Sequence, residues 1–184
     1  MTGGGMSGKI VFITGGARSG KSRFALKEAS LVQGRKVFIA TAEAVDSEMK
    51  ERIERHRSDR GDGWETIEEP LLIAEVIDSV SKKPYAVVLD CLTVWLANVM
   101  QAGPDAHKEI ENLIVTLKRF SGSSAASLFI VSNEVGMGIV PANEMARKFR
   151  DHAGILNQKV AEVANEVYWT VAGIPVKIKG EGEP

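Results

Sequence analysis

The feature that most constrains this chain is a glycine-rich segment of eight residues that directly follows a short apolar run. Its residues fit the pattern G-x-x-x-x-G-K-[ST] and are Gly15, Gly16, Ala17, Arg18, Ser19, Gly20, Lys21 and Ser22. Glycines let the backbone curl so that successive N–H groups point at phosphate oxygens, and the following helix adds its positive end. The segment therefore predicts a phosphate-binding loop in which Lys21 reaches the β- and γ-phosphates and Ser22 ligates Mg²⁺.

Short apolar runs alternate with helical patterns along the rest of the chain. The runs are nearly continuous in apolar character, as strands buried on both faces are, and cover residues 9–14, 36–41, 85–90, 127–133 and 167–172. Between them lie amphipathic stretches with a helical period, such as Ile110, Leu113, Ile114, Leu117 and Phe120. Strands that alternate with helices predict an α/β fold with a mostly parallel sheet and helices on both faces.

Length and composition indicate one globular domain. The chain has 184 residues, of which 44% are hydrophobic and 26% charged, and no apolar run approaches the ~18–20 residues of a membrane span. We expect residues 1–8 to be a cloning remnant or flexible lead-in, residues 9–179 to form one nucleotide-binding catalytic domain, and residues 180–184 to be a flexible tail.

Charge and cysteine content restrict the classes of partner and compartment. The 23 basic residues nearly balance the 24 acidic ones, and the net charge of −1 creates no global field that attracts nucleic acid or an anionic membrane. Cys91 is the single cysteine and has no partner for an intrachain disulfide, which is typical of a reducing, cytoplasmic protein.

A second acidic element is expected at the end of a neighbouring strand. The apolar residues before Asp90 predict a strand that ends in a carboxylate able to hold Mg²⁺ or its water ligands. The alternative is an ordinary strand-end residue. The adjacent Cys91 is interpreted as a small buried hydrophobe rather than a nucleophile.

Residues 46–60 predict a helix that opens with acidic side chains and carries a histidine. Met49, Ile53 and His56 recur at helical spacing, so one face holds two apolar anchors and an imidazole. The surrounding arginines are Arg52, Arg55, Arg57 and Arg60. They would attract polyphosphate and keep the imidazole neutral near pH 7. A solvated, charged helix surface with an idle histidine explains the same spacing.

A polar loop is expected at the sheet edge that carries the phosphate loop. Asn133 and Glu134 follow a predicted strand and precede Gly136 and Gly138, and ligands of open α/β sheets bind outside the carboxyl ends of strands. A plain connecting loop is the alternative. The next helix carries Arg147, Arg150 and Asn157, for which substrate binding, salt bridges and a subunit contact all remain open.

Together these segments resemble the bifunctional adenosylcobinamide kinase/adenosylcobinamide-phosphate guanylyltransferase family of cobalamin biosynthesis. The likeness runs from about Lys9 to Lys179 and rests on residues 14–25 (TGGARSGKSRFA), 39–70, 89–98 (LDCLTVWLAN) and 131–179. The first of these motifs is shared by many phosphate-loop proteins, whereas the second and fourth are specific to the family.

The resemblance implies a RecA-like fold, a homotrimer and two reactions on a small-molecule corrinoid, with Mg²⁺ as cofactor. ATP or GTP phosphorylates the hydroxyl of the aminopropanol arm of adenosylcobinamide, and GTP then donates GMP to that phosphate through a histidine-linked GMP. The family's histidine matches His56, and Arg55 stands where some relatives carry a second histidine. Family contacts to the nucleotide match residues 15–22 and the positions Ala40, Thr41, Ala42, Arg57, Ser58, Asp59, Arg60, Glu68 and Asp90.

Three other functions fit parts of the sequence. A single-function phosphate-loop kinase explains the loop but leaves the His56 segment unused. A GTP-dependent switch lacks support because no N-K-x-D motif for guanine recognition occurs in the chain. A RecA-like motor on nucleic acid fits poorly with a net charge of −1 and no evident basic stripe.

Overall fold

A computed structural model describes residues 8–43, 51, 54, 57, 61, 63–83, 85–103 and 105–180, the side chain of Ser123 excepted. Seven strands and five helices lie within these ranges. The strands are β1 Lys9–Gly15, β2 Arg35–Ala40, β3 Trp64–Glu68, β4 Tyr85–Asp90, β5 Ser127–Val131, β6 Glu166–Val171 and β7 Ile174–Lys179. The helices are α1 Lys21–Leu31, α2 Ile73–Ser81, α3 Leu92–Ala102, α4 Ala106–Ser123 and α5 Glu144–Val163.

All seven strands belong to one sheet with the order β3-β2-β4-β5-β1-β6-β7. The first six strands of this order are parallel to one another. β7, at the edge of the sheet, runs antiparallel to β6. The predicted α/β fold with a mostly parallel sheet is confirmed. The order places β1 between β5 and β6, so the strand that carries the glycine-rich loop lies inside the sheet.

Helices cover both faces of the sheet because successive strand residues point to opposite sides. Ile10 and Phe12 of β1 pack with α2, α3, α4 and α5 in one cluster of buried side chains. Val11 and Ile13, their neighbours in β1, pack instead with Ala25 and Ala29 of α1. The central strands are therefore apolar on both faces, which is the pattern that the sequence shows.

The two outer strands β3 and β7 carry a different pattern. Most side chains of β3 are exposed, and those of β7 are exposed or half-buried. Neither strand was among the five predicted ones, because both lack a continuous apolar run. Among the helices that the structure describes, none is long and apolar enough to cross a membrane.

Candidate functional site

The glycine-rich loop connects β1 to α1 as the sequence predicts. Gly20 precedes α1 with a left-handed φ of 97° and provides no side-chain cap for this helix. A helix start without a side-chain cap is suited to binding an anion. At Gly15 a Cβ atom would lie 2.3 Å from the carbonyl oxygen of Thr170, so the close passage of β6 requires glycine at this position.

The side chain of Lys21 folds back across the loop. It is buried, with 6% of its surface exposed, and its Nζ donates to the carbonyl oxygen of Gly16 at 2.5 Å and lies 3.4 Å from Oγ of Ser19. The ammonium is thus enclosed by the same loop whose N–H groups would surround a polyphosphate. Its charge would compensate that of the phosphates directly.

The turn between β6 and β7 touches this loop from the side. Ala172 and Gly173 have left-handed φ values of 49° and 84°, and the N–H of Gly173 donates to the carbonyl oxygen of Ser19 at 2.9 Å. A Cβ atom on Gly20 would lie 3.2 Å from Cα of Gly173. The sequence gives only a weak signal for this turn, because Ala-Gly is not one of the pairs, such as Asn-Gly or Asp-Gly, that are typical of two-residue hairpins.

Strand register aligns three predicted nucleotide contacts at the carboxyl edge of the sheet. Ala40 of β2 is the register partner of both Glu68 in β3 and Asp90 in β4. Asp90 in turn pairs with Val131 of β5, which pairs with Ile13 of β1, two residues before the glycine-rich loop. The sheet therefore brings residues from widely separated parts of the chain to one edge.

Thr41, the next predicted contact, is fully buried and ties β2 to β4. Its N–H donates to the carbonyl oxygen of Asp90 at 3.3 Å, and its own carbonyl accepts from Nδ2 of Asn98 at 2.8 Å. Its hydroxyl is bonded to the main chain of Cys91. Ala42, one residue further along, is half-buried. The predicted nucleotide contacts of both residues stay predictions.

The surroundings of Cys91 show which charges lie at the end of β4. The pKa of the Cys91 thiol is raised to about 11, mainly by burial and also by the negative charge of Asp90, while the positive charge of Lys21 opposes the increase. Asp90 and Lys21 therefore both act on the same buried sulfur. This places the predicted acidic element within electrostatic range of the glycine-rich loop.

The residues present fit a magnesium ion that is held mainly by its nucleotide. Ser22 and Asp90 are both half-buried and supply oxygen atoms, the ligands that Mg²⁺ prefers. In the part of the chain that the structure describes, no three His, Cys, Asp or Glu side chains form a metal-binding group. Mg²⁺ keeps several water ligands and binds through one or two protein groups plus phosphates, so this sparse donor set is adequate.

Arg57 connects the histidine segment to the same edge. Nη2 of Arg57 forms an ion pair with Oε1 of Glu68, the last residue of β3, and about half of each side chain is exposed. His56, Ser58, Asp59 and Arg60 lie outside the described residues. The predicted roles of these four residues, including that of His56 as the nucleophile, stay predictions.

The loop after β5 is joined to the glycine-rich loop. The N–H of Glu134 donates to the carbonyl oxygen of Gly15 at 2.9 Å, and the carbonyl of Asn133 accepts from Nδ2 of Asn157 at 3.2 Å. Arg147 donates to the carbonyl oxygens of Pro141 and Ala142 at 3.0 and 2.6 Å. Asn157 and Arg147 therefore both shape this loop through its main chain.

The sheet order, the buried lysine and the glycine-rich turn define a phosphate-loop NTPase with a RecA-like fold. The chain is similar in structure to the RadB recombinase, with a TM-score of 0.58, 14% sequence identity, and coverage of 97% of this chain and 84% of that one. At this identity the likeness shows the fold alone.

The chain belongs to the family of cobinamide kinase/cobinamide phosphate guanyltransferase, whose model matches residues 11–178. It is 41% identical to the bifunctional adenosylcobalamin biosynthesis protein CobP of Pseudomonas aeruginosa, over 92% of this chain and 96% of that protein. It is 40% identical to the bifunctional adenosylcobalamin biosynthesis protein CobU of Escherichia coli, over 92% of this chain and 99% of that protein. The resemblance seen in the sequence is confirmed, and the family is one of kinases that are also nucleotidyltransferases.

Proposed function

We propose that this chain phosphorylates the hydroxyl of adenosylcobinamide with ATP or GTP and then transfers GMP from GTP to the resulting phosphate. The products are adenosylcobinamide-GDP and pyrophosphate. The observation that carries the proposal is the register of Glu68, Ala40 and Asp90. These positions match nucleotide contacts of the family, and they lie in a row that leads to the glycine-rich loop.

In the kinase step the loop binds the triphosphate and Lys21 offsets its charge. The N–H groups at the start of α1 hold the phosphates, while the alcohol oxygen of the acceptor attacks the γ-phosphorus and the nucleoside diphosphate leaves. Ser22 and Asp90 are the residues that would hold Mg²⁺. When bound, this ion neutralises negative charge on the phosphate oxygens.

In the guanylyl transfer step we assign the nucleophile to His56. A neutral imidazole nitrogen attacks the α-phosphorus of GTP, a phosphoramidate bond forms, and pyrophosphate leaves with the electron pair of the broken bond. The phosphate of the acceptor then attacks the same phosphorus and releases the histidine. The sequence RIERHR and the ion pair of Arg57 with Glu68 support this assignment, since Arg57 is the next residue in the chain.

Incubation with α-labelled GTP and Mg²⁺ tests the proposal. The wild-type protein should acquire label that is lost in acid and comparatively stable in base, as a phosphoramidate is, and should pass it to added adenosylcobinamide phosphate. H56A should acquire no label. The matched control is H107A, because His107 is exposed on α4, and it should label like the wild type. An adduct on H56A, or adenosylcobinamide-GDP formed by H56A at the native rate, would contradict the mechanism.

We infer further that the protein acts as a homotrimer in the cytoplasm, where its nucleotide substrates are. Support for a subunit contact comes from an apolar surface on the β6–β7 hairpin, formed by Trp169, Val171, Ile174, Val176 and Ile178, which are 36–65% exposed. Large exposed apolar patches on a folded protein are typical of interfaces. Light scattering should give three times the chain mass, and V176E should lower it. A monomeric wild-type protein would contradict the trimer.

A further inference from the structure

The loop after β5 holds a carboxylate, that of Glu134, for which the proposed mechanism has no role. Three hydrogen bonds fix the main chain of Glu134 and of the preceding Asn133. The N–H of Asn133 donates to Oγ1 of the buried Thr93 at 2.7 Å, the carbonyl of Asn133 accepts from Asn157, and the N–H of Glu134 donates to Gly15. A group held in this way keeps a constant position relative to the phosphate loop, as a reacting group requires.

The carboxylate itself is only partly engaged. Oε1 of Glu134 accepts from the N–H of Gly136 at 2.7 Å, which fixes the side chain toward the loop. For Oε2 the described residues provide no hydrogen-bond or ion-pair partner. The side chain is half-buried. One carboxylate oxygen is thus oriented while the other remains able to accept a proton.

Space for an acceptor lies beside this carboxylate. A cavity of about 450 Å³ begins two residues after Glu134, and its lining includes Gly136, Gly138, Val140, Arg150, Gly154 and Ile155. The polar side chains of Arg150, Asp151 and Gln158 complete the lining, so the walls suit a molecule that carries both apolar and polar groups. Glu134 is hydrogen-bonded to both regions, since its N–H donates to Gly15 of the phosphate loop and its Oε1 accepts from Gly136 of the cavity lining.

We propose that Glu134 is a catalytic residue of the kinase step, the base that takes the proton of the acceptor hydroxyl. The alcohol oxygen forms a bond to the γ-phosphorus, and the bond between that phosphorus and the bridging oxygen breaks. The nucleoside diphosphate leaves with the bonding electrons, and the hydroxyl proton passes to Oε2 of Glu134 and then to solvent. Asp90, the other carboxylate at this edge, is assigned to Mg²⁺. This inference rests on the proposed kinase function.

The two proposed reactions differ in their need for a base, and this difference provides the test. The acceptor of the kinase step is an alcohol that must lose a proton, whereas the acceptor of guanylyl transfer is an ionised phosphate. In E134Q the glutamine oxygen can still accept from Gly136, so the loop is preserved. We expect its kcat for phosphorylation of adenosylcobinamide to fall about 100-fold or more. The nucleotide Kd and the rate of guanylyl transfer to supplied adenosylcobinamide phosphate should match the wild type.

Two further variants complete the experiment. E144Q changes an exposed glutamate at the start of α5 that pairs with Lys148, and both of its reactions should proceed at wild-type rates. E134D keeps a carboxylate and should recover part of the kinase rate that E134Q loses. Thermal melts of all variants check that they are folded.

The inference is overturned if E134Q phosphorylates adenosylcobinamide at the wild-type rate. It is also overturned if the two reactions decline together or if a weaker nucleotide Kd accounts for the loss, since either result indicates a structural role. A wild-type protein that transfers GMP but phosphorylates no alcohol would instead remove the kinase half of the proposed function, and Glu134 with it.

Discussion

One hydroxyl group, that of Thr41, makes two hydrogen bonds to the main chain of Cys91. Oγ1 of Thr41 donates to the carbonyl oxygen of Cys91 and accepts from its N–H, each at 2.9 Å. Thr41 follows β2 and Cys91 follows β4, so this exchange joins the ends of two adjacent strands. Because Asp90 precedes Cys91, the hydroxyl also fixes the main chain that carries the predicted metal ligand.

T41V should lower the free energy of unfolding by about 2 kcal/mol. Valine has a similar shape but leaves the N–H of Cys91 without its partner, and a buried unsatisfied group costs about 1–3 kcal/mol. The carbonyl of Cys91 keeps the hydrogen bond from the N–H of Trp95. Urea unfolding measures the loss. T41S is the control, since it keeps the hydroxyl and should lose only about 1 kcal/mol for the deleted methyl group. Equal losses in the two variants would assign the effect to packing.

K21A should weaken binding of nucleoside triphosphate and lower the kinase rate by at least about 100-fold, because a charged group aimed at the reacting phosphates is removed. Isothermal titration and a kinase assay measure the two effects. K27A provides the control, since Lys27 is exposed on the same helix and should keep full activity. Undiminished phosphorylation by K21A would exclude the proposed role of the ammonium.

D90N should raise the Mg²⁺ concentration needed for half-maximal activity by about tenfold, since a neutral amide is a weaker ligand for a hard cation than a carboxylate. A titration of activity with Mg²⁺ at fixed nucleotide measures this. D78N alters an exposed carboxylate that pairs with Arg119 and should leave the titration unchanged. If D90N titrates like the wild type, Asp90 is only a strand end.

Cys91 should react with iodoacetamide at pH 8 only after the protein unfolds. Burial and the charge of Asp90 raise its pKa from 9.0 to about 11, and the thiolate is the reactive form. The folded state therefore retains this proton more strongly than the unfolded state. Its contribution to stability is complete below pH 9 and is lost as the pH rises toward 11. Mass spectrometry with and without urea measures the labelling, and labelling at equal rates would contradict the burial.

G173A should lower stability by about 1–2 kcal/mol, because an L-residue in the left-handed region is strained. It should also weaken nucleotide binding, because the N–H of Gly173 holds the carbonyl of Ser19. The matched variant is A172G, which places glycine at the neighbouring left-handed position and should keep nucleotide affinity. Thermal melts and nucleotide titrations measure both effects. Unchanged nucleotide affinity in G173A would separate the hairpin from the loop.

Local sequence patterns were sufficient for much of the fold. Continuous apolar runs identified five of the seven strands, β1, β2, β4, β5 and β6, with ends within two residues of those observed. The helical period of Ile110, Leu113, Ile114, Leu117 and Phe120 identified the buried face of α4, where all five are buried. β3 and β7 were missed because a strand with exposed side chains has no such run. Their existence depends on a neighbouring strand with free hydrogen-bonding groups.

The candidate site divides in the same way. The glycine-rich loop has a local motif, and its position between strand and helix followed directly from residues 15–22. The contacts of Ser19 with Gly173 and of Gly15 with Glu134 join residues more than a hundred positions apart. No spacing rule reports such pairs, because the order of strands in the sheet creates them.

The position of β1 has a consequence for how the protein is made. In the finished sheet β1 is flanked by β5 and β6, which are synthesised more than a hundred residues later. Both sides of β1 must stay unpaired with these strands until then, and a growing chain released early exposes them. The nucleotide loop is therefore synthesised well before the two strands that support it from either side.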